Sequence, residues 1–142
     1  MTRLLECFLR YLGVLYLDPR YRITDSTTTG SATDNASLRL TGDILSWRLT
    51  NDRGQIRLVV APTKLETSEN WFRITSVRQY LDHKEEHGTV LTDELALWLS
   101  HNISRVEDLF ANNSIAASSC RALIDLEEAK AIKLFGPQQE SS

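Results

Sequence analysis

The sequence predicts an α+β fold: an N-terminal helix, a three- to four-stranded antiparallel β-meander, and a C-terminal antiparallel helical hairpin packed on one sheet face. Three observations carry this. Apolar residues recur at three- and four-residue spacing over 3–17 and again after Thr92, the spacing of one helix face. Between those regions, short runs alternate apolar and polar residues, as half-buried strands do. Clusters of Gly, Asn and Asp separate the runs, where turns need them.

In the first element Leu4, Leu5, Phe8, Leu12 and Leu15 form a wide apolar side, and Arg3, Glu6 and Arg10 a polar stripe. Asp18-Pro19 ends it, because proline cannot continue a helix. Residues 24–37 hold nothing apolar larger than alanine and show no period, so a mobile polar loop is predicted there.

Three strands follow at Ser37–Thr41, Ile44–Thr50 and Gln55–Ala61, with Gly42-Asp43 and Asn51–Gly54 as hairpin turns. A fourth strand is predicted over Trp71–Val77, which is rich in β-branched and aromatic residues. A helix starting near Ser68 is the alternative, since Trp71, Ile74, Val77 and Leu81 also fit helical spacing.

Thr92 is an N-cap with Asp93 and Glu94 in the first turn, where acids suit the helix dipole. Leu95, Trp98, Leu99, Ile103, Val106 and Phe110 then make one stripe, broken at Asn112-Asn113. A second helix is expected from Ala116 to Phe135, stopped by Gly136-Pro137. The expected core sets Leu45, Trp47, Leu49, Ile56, Leu58 and Val60 against Leu95, Trp98, Ile103 and Val106.

The chain has 142 residues, 42% apolar and 25% charged. That fits one domain, taken as 1–136 with a disordered tail at 137–142, and sets aside fibrous and wholly disordered classes. Cys7 and Cys120 are far apart and flanked by apolar residues, so small buried thiols in a reducing compartment are expected. The leading apolar run is interrupted by Glu6 and Arg10 and has no small-residue cleavage site. A cytoplasmic protein with no membrane span follows as the expectation.

The net charge of −3 hides an asymmetry. Residues 1–84 carry twelve Lys or Arg against nine acids, and residues 85–142 carry four against ten. Each predicted strand also holds one Arg between two apolar residues: Leu38-Arg39-Leu40, Trp47-Arg48-Leu49, Ile56-Arg57-Leu58 and Phe72-Arg73-Ile74. Strand side chains alternate, so the apolar partners face the core and Arg39, Arg48, Arg57 and Arg73 share the other face. None of the predicted strands places an acid on that face. Guanidinium grips carboxylate or phosphate through paired hydrogen bonds, and Trp71 on the same face offers a stacking surface. The plainer alternative is a solvated face, or one neutralised by acids from loops or from the acidic helices.

Two motif-like strings are weighed and set aside. His83-Lys84-Glu85-Glu86-His87 has the H-x-x-E-H order of inverzincin peptidases, and His83 and His87 are the candidate metal ligands. The segment is polar, Gly88 follows at once, and a catalytic zinc needs a third protein ligand in a shielded site. Arg78 to His83 has the R-x4-H order of HEPN ribonucleases, which are all-helical, whereas this Arg closes a β-rich stretch. No GxSxG, Walker loop or GxGxxG is present.

No cofactor is implied. The expected function is a non-catalytic interaction module or small subunit that binds a protein partner. The alternatives are nucleic-acid or polyanion binding through the Arg face, and an unrecognised enzyme near His83 and His87.

Overall fold

The computed structural model describes residues 1–28, 35–85 and 88–135, with side chains through Lys133. The fold is α+β, with an N-terminal helix, one antiparallel sheet and C-terminal helices. The sheet has five strands in sequential order: β1 (Arg22–Thr28), β2 (Ala36–Thr41), β3 (Leu45–Asp52), β4 (Gln55–Pro62) and β5 (Phe72–Arg73).

Two of these differ from the sequence-based reading. β1 reaches from Arg22 into the stretch 24–37 that was expected to be a polar loop. Its seven residues are exposed, so no core face imprints an apolar period on them. Antiparallel pairing with β2 holds it instead, and hydroxyl contacts add to this, Thr24 Oγ1 to Thr41 Oγ1 at 2.8 Å and Thr27 Oγ1 to Ser37 Oγ at 2.6 Å. The middle of that stretch, 29–34, and the tail at 137–142 lie outside the described residues. β5 is only two residues long, and the helical alternative takes over at Ile74, giving α3 (Ile74–Asp82). Ile74 and Val77, three apart, are both buried, which one helix face achieves and an alternating strand does not.

The hairpins are set by their turns. Between β3 and β4, Arg53 and Gly54 both take positive φ, 55° and 87°, as a tight two-residue turn requires. Asn51 Oδ1 accepts from the Gly54 N–H at 2.9 Å, which fixes the tip. Between β2 and β3 the chain turns at Gly42, whose N–H bonds to the Leu45 carbonyl at 2.8 Å.

The first element is two helices, α1 (Thr2–Tyr11) and α2 (Gly13–Tyr16), broken at Leu12 where ψ turns to 35°. α4 (Asp93–Leu109) starts where expected, with Thr92 Oγ1 accepting the Leu95 N–H at 3.2 Å. α5 (Asn113–Phe135) begins three residues early because Asn112 caps it, its Oδ1 accepting the Ile115 N–H at 2.9 Å.

The layering differs from a hairpin laid on the sheet. α1 rests on β2 and β3 and α3 on β4, while α4 packs against α1, α2 and α3, and α5 against α3 and α4. The sheet's own loops explain α5's position, since it also packs on the short turns Thr63–Leu65 and Ser68–Asn70. Leu4, Leu12, Leu40, Trp47, Leu58, Phe72 and Leu99 are all buried in one core. Ile56, Trp98 and Ile103 sit at its margin, half-buried.

Candidate functional site

The registers place the arginines. Arg39 on β2 is directly opposite Arg48 on β3, Arg48 is opposite Val59 on β4, and Val59 is opposite Arg73 on β5. Arg57 is two residues from Val59 and opposite Thr50, so it shares the same face. Directly opposed side chains on one face stand about 5 Å apart at Cβ, and diagonal ones about 7 Å. Arg39, Arg48 and Arg57 therefore form one cluster, with Arg73 at the sheet margin.

Their surroundings differ. Arg48 lies over the Trp71 ring, its guanidinium carbon 4.4 Å from the ring centroid, and Arg39 lies 5.5 Å from the same centroid. Arg39 is ion-paired with Glu66. Arg57 donates from Nε to Thr89 Oγ1 at 3.0 Å and from an NH2 group to Gln55 Oε1 at 2.6 Å, with Asp52 at 3.6 Å. Arg73 acts on Glu127 of α5: burial pushes that carboxyl's pKa up, while the Arg73 charge and main-chain N–H oppose the rise. Arg39 and Arg57 thus have a carboxylate within 4 Å, whereas Arg48 has none among the described residues.

The acids that serve this face were not legible as such. Asp25 joins it because β1 pairs Asp25 with Arg39, and β1 carries no apolar signal. Glu66 and Trp71 come from one loop after β4. That loop is closed by Asn70, whose Nδ2 donates to the Leu65 carbonyl at 2.7 Å and whose N–H bonds to Thr67 at 3.0 Å. Trp71 was expected on this face, but Glu66 lies between the predicted strands, where no period places it.

The chemistry proposed by the two strings is not assembled. Among the described residues, no group of three His, Cys, Asp or Glu is placed to hold a metal. His83 is not helical: it is the left-handed cap of α3, at φ 55°, so it cannot share a helix face with His87, which lies outside the described residues. Arg78 turns to Glu94 on α4 at 3.2 Å, whereas His83 lines a hollow with Glu85, Leu126 and Lys130 toward α5. The R-x4-H pair thus points at two different helices.

Cys7 and Cys120 are free thiols, half-buried and buried, and burial raises the pKa of each. A thiol held protonated is a poor nucleophile. Among the described residues, no helix is long and apolar enough to cross a membrane. Comparison with protein-family profiles, with curated proteins and with solved structures returned no match.

Proposed function

We propose that the protein is a non-catalytic interaction module that holds an acidic segment of a protein partner on the sheet face carrying Arg39, Arg48, Arg57, Arg73 and Trp71. The observation behind this reading is Arg48. Its guanidinium is positioned by Trp71 and, among the described residues, is opposed by no carboxylate, so its hydrogen-bond donors are available to a ligand at little ordering cost. Arg39 and Arg57 are each paired with an acid, which favours recognition of single acidic side chains over a polyanion. A nucleic-acid surface would carry a net positive stripe, and Trp71 already has a guanidinium on its ring where a base would stack.

The test is calorimetric titration with a twelve-residue peptide of alternating Glu and Ser, and with a single-stranded oligonucleotide of similar length. Saturable binding of the peptide, reduced at least tenfold in Arg48→Ser, supports the reading. Tighter binding of the oligonucleotide, weakening steeply with salt, would replace it with the polyanion alternative.

A further inference from the structure

Resting on that reading, we propose that Glu66 is an internal stand-in for the partner's acid, and that a partner's Asp or Glu side chain binds by spanning Arg39 and Arg48 and displacing Glu66. Arg39 and Arg48 are cross-strand partners on one face, and the single Trp71 ring orders both. Two guanidinium groups so placed form one seat. Glu66 fills the Arg39 half of it and, among the described residues, the Arg48 half is left open.

The structure makes displacement a side-chain movement. Glu66 and Trp71 stand at the two ends of one loop whose middle is tied by Asn70 to Leu65 and Thr67 and packed under α5. Trp71 therefore keeps both arginines in place when Glu66 rotates away. The Glu66 side chain is 21% exposed and that of Arg39 29%, so a ligand reaches the pair from solvent.

Charge selects the ligand class. With Glu66 displaced, the seat holds Arg39 and Arg48 against Asp25, the cross-strand neighbour of Arg39. One net positive charge matches one carboxylate. A phosphate monoester brings about −1.5 to −2 and leaves charge uncompensated. The seat already accepts a carboxylate in Glu66, which gives that geometry directly.

The experiment measures fluorescence polarisation of a labelled Glu-Ser peptide, and of its phosphoserine counterpart, on wild type, Glu66→Gln and Arg48→Ser. Melting temperatures verify that each variant folds. Removing the competing ion pair should tighten the Glu peptide roughly two- to fivefold in Glu66→Gln, the worth of a part-exposed pair. An unchanged or weaker affinity in Glu66→Gln, while Arg48→Ser still loses binding, overturns the stand-in role and leaves the interaction surface standing. Tighter binding of the phosphopeptide overturns the assignment to carboxylates. Binding by Arg48→Ser equal to wild type overturns the underlying surface itself.

Discussion

Arg48 and Arg57 are neighbours on one sheet face with opposite fates. Arg57 spends its donors on Thr89, Gln55 and Asp52, and Arg48, among the described residues, keeps its own and is held by an aromatic ring. Replacing Arg48 by Ser should therefore lower stability by only about 0.5–1 kcal/mol, the worth of a part-exposed cation–π contact, as read by urea denaturation. A loss of several kcal/mol would make Arg48 a structural residue rather than a binding one. Gly42 is the contrary case. A Cβ there would stand 2.6 Å from the buried Tyr21 ring and 3.2 Å from the Leu45 carbonyl, and neither can retreat easily. Gly42→Ala should cost about 1–3 kcal/mol by overpacking, visible as a lowered denaturation midpoint at unchanged slope.

At the scale of elements, what was legible follows from what each element buries. The start of α4 was readable to the residue because a cap, an acidic first turn and an apolar stripe agree. Thr92→Ala should remove the cap bond to Leu95 and cost about 1 kcal/mol, with the helix otherwise intact by circular dichroism. β2, β3 and β4 were readable because one face is buried and the other is not. β1 was not: with all seven residues exposed it has no period, and only its pairing with β2 makes it a strand. The stretch over Trp71–Val77 satisfied both periods at once, and packing of Ile74 and Val77 into the core settled it as helix from Ile74 onward. The arginine row was legible in the same way as the strands that bear it. The two acids beside Arg39 were hidden, Asp25 in the strand without a period and Glu66 in the loop between β4 and β5.

Across the whole molecule, the charge asymmetry of the sequence is used internally. Arg20 of the basic front half grips Glu107 on α4 through two contacts, 2.9 and 3.0 Å, and Arg78 pairs with Glu94. Excess Arg in front and excess acid behind therefore help to dock helices as well as to colour the surface. Beside the Arg20–Glu107 pair sits Tyr21, whose ring meets Trp47 edge-on at 6.5 Å. Burial pushes the Tyr21 pKa up to about 12 from an ordinary 10.0. The sign follows from proton binding: between those values the unfolded chain releases the phenol proton and the native state keeps it. Stability should thus fall as pH rises from about 10 and level off above about 12, and Tyr21→Phe should remove that slope. Equal slopes in wild type and Tyr21→Phe would place the alkaline loss elsewhere.

The seat on the sheet is the part of the account that bears on function, and side-chain NMR reads it most directly. In a titration with the alternating Glu-Ser peptide, the Arg48 Nε–H and Trp71 Nε1–H resonances should shift together and saturate at one affinity. The Arg57 Nε–H, bonded to Thr89, should stay nearly still as an internal control. Saturating shifts that leave Arg48 and Trp71 unmoved, or no shifts at all, would contradict the account.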